Sequence, residues 1–557
     1  MRPHRFAVVL AAAALLAGCA NNDGPTPPSA PDAIPLVATD DLPAAEGDEV
    51  HLFAFNDLHG NLQPPGGSTG KIAGHDAGGA AFLATHLARL RAAYPAGAVV
   101  SVGDNVGASP LVSALFHDEP TIDFLNNIGV TASAVGNHEF DDGVVELARI
   151  QRGGCAPDGC SPGAPFTGAA FPYLAANVTD AEGALPPQLR PWTMLDVGGH
   201  KIGVVGTVTQ ETASIVLPEG IRGYSFGDEV DAINHYVPQM RAAGAETVVA
   251  LLHNGGGQRG DADALDYNGC ANISPDVATV ARRADPAVSA ILSGHSHQSY
   301  VCTIDGKVIT QGASYGRLIT DLTLRFGSDG VHAAAVNRVV TRDVEPDRPT
   351  EDLVAFYDEQ SRPRAQRVVG TATNPLPRAA GAAPTSPLGD VIADSMLSAT
   401  AGDHPVAAFM NPGGVRADLP AGPVTYGDIF TAQPFGNQVV TSTLTGAQIL
   451  RLLEQQWADP AEPTVLSTSG LTYAYSASAA PGAKVIADSV RIAGQPLNPV
   501  AAYRIATNSF LASGGDGFSV FAEGRDNVPG PSDLDAFEAF LNRNPTIAAP
   551  AARVEQK

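Results

Sequence analysis

The chain has 557 residues, 58 acidic against 33 basic side chains, and a formal net charge of −25. That length exceeds one ordinary domain and points to two. The acidity excludes a protein that grips nucleic-acid polymers through their backbone, which needs basic patches to displace counterions.

Arg2 and Arg5 precede an apolar stretch over residues 6–16 and then Leu16-Ala17-Gly18-Cys19, the order of a bacterial secretory signal. A cysteine directly after a small pair resembles a lipobox, in which Cys19 becomes the lipidated N-terminus. Residues 1–18 therefore read as a lipoprotein signal peptide, and the chain as anchored to a membrane through Cys19 rather than spanning it. Ala20, in place of the Asp that retains many bacterial lipoproteins in the inner membrane, favours the periplasmic side of the outer membrane. Residues 19–48 carry Pro25, Pro27, Pro28, Pro31, Pro35 and Pro43 with few large apolar residues, and read as a disordered tether. Cys155, Cys160, Cys270 and Cys302 remain for an oxidising compartment. Local spacing favours pairing Cys155 with Cys160 and Cys270 with Cys302, one of three possible connectivities.

From His51 onward one theme repeats: a short β-rich run ends and polar or metal-capable residues follow at once. Residues 51–55 lead into Asn56-Asp57, 99–102 into Gly103-Asp104, and 131–135 into Gly136-Asn137-His138. Residues 247–252 lead into His253-Asn254, and 287–292 into Gly294-His295-Ser296-His297. Helical patterns such as 80–94 lie between, so a layered α/β sheet is expected, with functional groups at the carboxyl ends of the strands. A polar stretch with Pro346, Pro349 and Pro363 surrounds a predicted helix at 351–360. It divides a first domain, 49–345, from a second α/β domain, 367–557, leaving 346–366 as a linker.

The strand ends supply Asp57, His59, Asp104, Asn137, His253, His295 and His297. Each motif alone is weak, because an Asp-x-His is also a turn beside a surface histidine. As a set they offer only oxygen and nitrogen ligands, which suits two divalent ions such as Zn²⁺ or Mn²⁺. Two ions close together need an anionic bridge against their repulsion, and Asp104 is the candidate.

In this order, Asp57-x-His59, Gly103-Asp104, Gly136-Asn137-His138-Glu139, His253-Asn254 and Gly294-His295-Ser296-His297 resemble the calcineurin-like metallophosphoesterase signature. The variant Asn137-His138-Glu139-Phe140-Asp141 is similar to the 5'-nucleotidase/UDP-sugar hydrolase family. The resemblance implies a four-layer metallophosphoesterase sandwich followed by a smaller α/β nucleotide-binding domain. It implies one metal held by Asp57, His59, Asp104 and His297 and a second by Asp104, Asn137, His253 and His295, although some members carry Gln at the His297 position. It makes His138 catalytic, oriented by Asp141, and gives Glu139 no ligand role.

In the second half, Asn411-Pro-Gly-Gly-Val-Arg416, Phe435-Gly436-Asn437 and Gly514-Gly-Asp516-Gly-Phe518 are similar to the nucleotide-binding signatures of the 5'-nucleotidase C-terminal domain. Ser386-Pro-Leu-Gly-Asp390 resembles its opening helix. By matching position, Phe435 and Phe518 would stack on the base, with Asn411, Arg416, Asn437 and Asp516 as polar contacts, Gly470 as a further one and Arg378 as a loosely aligned phosphate contact. The expected activity is release of phosphate from nucleoside 5'-phosphates outside the cytoplasm, with UDP-sugars as further substrates, for nucleotide scavenging. Nucleotides are the expected partners, and no protein partner is evident. The competing readings are a 2',3'-cyclic nucleotide phosphodiesterase with 3'-nucleotidase activity and, from another class, a non-catalytic nucleotide-binding lipoprotein.

Overall fold

Alternation along the first strand sets the layering. In Asp48–Phe55 (β1), Val50, Leu52 and Ala54 face one way and Phe53 and Phe55 the other, yet all five are at most 1% exposed. A strand buried on both faces needs a layer on each side. The computed structural model describes residues 48–557 except 164, 260–265, 381–383 and 459–462, and supplies both layers. The expected signal peptide, the expected lipid anchor at Cys19 and the expected tether lie outside the described residues, save Asp48, which belongs to β1.

The first sheet comprises β1, Gly97–Ser101 (β2), Val130–Ala134 (β3), Tyr173–Leu174 (β4), and two strands that arrive much later in the chain. The second comprises Trp192–Val197 (β5), His200–Val208 (β6), Thr247–His253 (β7), Val288–Ser293 (β8), Ser299–Ile304 (β9) and Lys307–Gly312 (β10). Leu318–Gly327 (β11) and Gly330–Val339 (β12) return to the first sheet, whose order is β12-β11-β1-β2-β3-β4. The second runs β9-β10-β8-β7-β6-β5. β1 to β4 are mutually parallel, as are β6, β7, β8 and β10, so the carboxyl ends that carry the expected ligands gather at one edge of each sheet.

Between the sheets, Leu52, Val100 and Ala132 meet Val204, Leu251 and Leu292. Helices Ala80–Ala93, Glu119–Asn127 and Gly143–Arg152 cover the outer face of the first sheet through Leu83, Phe124 and Leu147. Glu229–Ala242 and Pro275–Arg283 cover the second through Ile233 and Val277. This is the expected four-layer sandwich. Both expected disulfides are present, Cys155–Cys160 and Cys270–Cys302.

The connecting helix runs Arg348–Ala365, longer at both ends than the 351–360 expected. The Asp347 side chain caps it by accepting from the Thr350 N–H, and Pro349 falls in the first turn, where its missing N–H costs nothing. Pro363 loses one bond near the other end, where packing elsewhere along the helix, as of Tyr357 on Phe116, carries the element past it.

Beyond it lies a five-stranded sheet of Ala407–Met410 (β13), Gln438–Thr445 (β14), Ser467–Ser469 (β15), Ala502–Asn508 (β16) and Arg525–Ser532 (β17), in the order β15-β13-β16-β14-β17. Ala408 and Met410 pack on helices Pro387–Ala399 and Asp533–Arg543; Phe409 and Ile505 pack on Gly446–Gln455. Leu111, from the first half of the chain, is buried in the same cluster as Met410, so the two halves share apolar contact. Among the described residues no helix is long and apolar enough to cross a membrane.

Candidate active site

Five of the seven expected ligands sit in left-handed backbone: Asp57, His59, Asp104, His295 and His297 have φ between 47° and 75°. Side chains avoid this region, and where it recurs among neighbouring polar residues it accompanies function. Glycines let these loops meet. A Cβ on Gly103 would lie 2.4 Å from the Gly136 nitrogen, and one on Gly136 would lie 2.0 Å from Asp104 Oδ1.

The loops converge on two trios, Asp57-His59-His297 and Asp104-His253-His295, whose ligand atoms lie within 4.8 Å of one another in each. Asp104 Oδ2 is 3.1 Å from His253 Nε2 and 3.6 Å from His59 Nε2, between the trios, as a bridge requires. His297 Nε2 stands 3.3 Å from Asp57 Oδ1 and 3.1 Å from His59 Nε2. Asn137 Oδ1 is 2.8 Å from His295 Nδ1, which adds the amide to the second trio. His138 forms a third group with His59 and Asp104.

This donor set fits two divalent cations. His59 Nδ1 lies 2.9 Å from the Gly107 carbonyl and His253 Nδ1 2.7 Å from that of Val102, which turns both Nε2 atoms inward. His253 Nε2 is buried and, among the described residues, has Asp104 Oδ2 at 3.1 Å but no well-aligned hydrogen bond. Burial opposes charge on His295 and, with His253 adding to it, lowers its pKa to about 4, so the ring is a neutral donor. Burial also opposes charge on His253, but Asp104 outweighs it and raises that ring to about 9. On Asp57, burial is outweighed by His297, which brings the carboxyl down to about 2.

To Glu139, which the resemblance gives no ligand role, the structure gives a task. Its carboxylate, 4% exposed, accepts from the backbone N–H groups of Asp104 and Asn105 at 2.9 Å each and of Gly136 at 2.5 Å. It clamps the two loops that carry Asp104 and Asn137. His138 Nδ1 is 2.7 Å from Asp141 Oδ2. Burial disfavours the charged ring, but Asp141 and Asp104 together outweigh it and raise the His138 pKa.

A cavity of about 330 Å³ leads away from these ligands. Asn137, His138 and His295 line it, and so do Asn411, Arg416, Phe435, Asn437 and Asp516 from the second half of the chain. The His138 and Phe435 rings stack, centroids 5.6 Å apart, and Arg416 lies over Phe435 with its Nη2 3.4 Å from His59 Nε2. The residues expected from both halves therefore meet, with two exceptions, Phe518 and Gly470.

Phe518 does not reach the cavity. It is 1% exposed and packs edge-on against Phe521 in the core. The second aromatic on the cavity wall is Phe510, on the turn after β16. The glycine-rich motif does serve it: a Cβ on Gly515 would lie 2.5 Å from the Phe510 ring, so the missing side chain is what admits the ring. Phe510 follows Asn508, which caps that turn by accepting from the Leu511 N–H, a signal the sequence carried. Gly470 is a turn residue with φ of 68° held against the Val406 carbonyl, outside both cavities at the site. Arg378 lines a neighbouring cavity together with Arg416, His297 and Arg317, the last of which the sequence reading missed.

The sandwich matches the calcineurin-like phosphoesterase family over residues 50–299, and the second half matches the 5'-nucleotidase C-terminal domain over 368–523. A cell wall protein of Listeria monocytogenes is 30% identical over 551 residues, covering 91% of this chain and 68% of that protein. The chain belongs to the 5'-nucleotidase family of calcineurin-like phosphoesterases. That fold implies divalent metal ions. A 5'-nucleotidase precursor from Thermus thermophilus has a solved structure that superposes with a TM-score of 0.77 at 26% identity, covering 91% of this chain and 99% of that one. The endonuclease YhcR of Bacillus subtilis is 30% identical over 507 residues, 88% of this chain but only 39% of that protein.

Proposed function

We propose that this family member is a two-metal phosphoester hydrolase, acting outside the cytoplasm, that releases phosphate from nucleoside 5'-phosphates, with UDP-sugars as further substrates. The observation that carries the reading is one cavity joining the ligand cluster at Asn137, His138 and His295 to two aromatic rings, Phe435 and Phe510, and to Asp516. Zn²⁺ or Mn²⁺ fits the oxygen and nitrogen donors. Held by Asp57, His59 and His297 and by Asn137, His253 and His295, with Asp104 between, such a pair of ions would lower the pKa of water at the site toward neutrality.

The chain's own groups do the rest. Phe435 and Phe510 stack on the base, a contact worth about 1–3 kcal/mol per base in comparable sites. Asn411 Nδ2 donates to Asp516 Oδ2 at 2.7 Å, leaving the other carboxylate oxygen for ribose hydroxyls. Arg416 and Arg378 face phosphate oxygens. With Nδ1 held by Asp141, the His138 ring presents Nε2–H to charge building on the phosphoryl group or leaving oxygen. The secretory signal order at the N-terminus, the two disulfides and a relative named as a cell wall protein support an extracytoplasmic site, with Cys19 as lipid anchor.

The test is a panel of AMP, UDP-glucose, 2',3'-cAMP and 3'-AMP with Zn²⁺ or Mn²⁺ supplied, reading phosphate and nucleoside. Phosphate from AMP that disappears on chelation is the expected result. Persistence after metal removal, or no release with metal supplied, would end the reading. Turnover of 2',3'-cAMP without AMP would replace it with the cyclic phosphodiesterase.

A further inference from the structure

The nucleoside end of the cavity has a wall that no motif in the second half supplies. Glu211, Ile215, Val216 and Leu217, from the segment following β6 in the metal-bearing sandwich, line the same cavity as Phe435, Phe510 and Asp516. This segment is tied to the metal ligands by its backbone. The Thr209 N–H donates to the His253 carbonyl at 2.8 Å, and the Gln210 N–H donates to Glu229 Oε1 at 2.8 Å. The same Glu229 oxygen accepts from Asn254 Nδ2, next to His253. Glu211 is thereby held in fixed relation to the site where the phosphate is cleaved. The short helix Thr212–Ile215 that follows packs on the Gly515–Gly517 turn, which places Glu211 at the Asp516 end of the cavity.

The polar groups already expected to hold the nucleoside each have a protein partner. Asp516 is bonded to Asn411, whose Oδ1 accepts from Asn508 Nδ2 at 3.0 Å, and Asn437 Oδ1 accepts from Ser509 Oγ at 3.0 Å. The Glu211 carboxylate makes no hydrogen bond or ion pair with any described residue, and it is solvent-accessible, so it is free to accept. An ionised carboxylate only accepts. Among nucleobase edges, its complements are the exocyclic amino groups of adenine, cytosine and guanine and the ring N–H groups of guanine, hypoxanthine and uracil, of which the amino groups project furthest from the ring toward a carboxylate on the cavity wall. A carbonyl oxygen at the same place, as the 6-oxo group of hypoxanthine or the 4-oxo group of uracil, meets it acceptor to acceptor.

Resting on the nucleotide reading above and naming its specificity, we infer that Glu211 selects amino-bearing bases, so that a residue of the metal domain reads the base that the second domain stacks.

The experiment compares kcat/KM for two matched pairs, AMP against IMP and CMP against UMP, in the metal-loaded full chain and in Glu211→Gln and Glu211→Lys. Wild type is expected to prefer the amino member of each pair by about tenfold, the size of one hydrogen bond to a charged group that remains open to solvent. An amide can turn to donate or accept, so Glu211→Gln should bring both ratios close to one. The lysine only donates and should reverse them. dAMP against AMP is measured in all three proteins. Ratios near one in wild type, or ratios unmoved by both substitutions, would overturn the assignment. So would a change confined to the dAMP/AMP ratio, which would place Glu211 on the ribose. Wild type that hydrolyses none of these monophosphates with metal supplied would remove the nucleotide reading itself and this inference with it.

Discussion

Replacing Glu139 with Gln changes one oxygen to an NH₂ group and nothing else in shape. The carboxylate spends Oε2 on the N–H groups of Asp104 and Gly136 and Oε1 on that of Asn105, all inside the protein. The cheaper amide orientation keeps its oxygen on Asp104 and Gly136 and turns NH₂ against the Asn105 N–H. One buried donor is then unpaired, at about 1–3 kcal/mol, and at pH 8, above the value of about 7 to which burial and Asp104 raise the Glu139 carboxyl, the two bonds that survive lose the carboxylate charge, about 1 kcal/mol each. The sum is a loss of about 3–5 kcal/mol, centred on the loops that carry Asp104 and Asn137. Urea unfolding of the metal-free protein reads this without any contribution from bound ions, and metal content after dialysis reads its effect on the site. An earlier unfolding midpoint and reduced metal retention are expected. A Glu139→Gln protein with the wild-type midpoint and full metal content would refute the clamp.

Other outcomes follow from the same geometry. Asp104→Asn removes the carboxylate that stands between the two trios and, on the two-metal reading, should cost about 100-fold or more in kcat/KM on nucleotides and on a small phosphoester such as p-nitrophenyl phosphate alike. Phe510→Ala should raise KM for AMP by about 5- to 150-fold while sparing p-nitrophenyl phosphate, whereas Phe518→Ala should leave KM alone and cost about 3–5 kcal/mol of stability. The reverse pattern would restore Phe518 to the base. Burial holds the Asp533 carboxyl at about 7, above its ordinary 3.8, against the pull of the Leu534 N–H. Between those values the folded chain keeps a proton that the unfolded chain has lost, so this group's contribution to stability falls as pH rises from about 4 to 7 and is level above. Asp533→Asn should therefore flatten the difference in unfolding midpoint between pH 5 and pH 8 and gain on wild type at pH 8; an unchanged difference would show that Asp533 titrates normally.

Much of the centre was legible before any fold. Asp57, His59, Asp104, Asn137, His253, His295 and His297 stand directly after β-rich runs, and parallel strands bring their carboxyl ends to one edge, so local pattern and topology agree. The pairing of Cys155 with Cys160 and Cys270 with Cys302 likewise followed spacing. Phe518 shows where pattern fails. A phenylalanine beside glycine reads alike whether its ring faces a ligand or the core, and only the path of the chain through Gly514–Gly517 turns Phe518 inward and leaves room for Phe510.

The sequence by itself determined which atoms can hold metal, because ligand chemistry resides in residue type and strand-end position is a local property. Tertiary structure alone decided what surrounds them. Glu139 clamps backbone donors contributed by three different residues, and Arg317 and Arg378 join one cavity from opposite halves of the chain. Glu211 comes to stand beside Asp516 across some three hundred residues of chain. Such meetings depend on how layers stack and loops cross, and no periodicity within either segment encodes its partner.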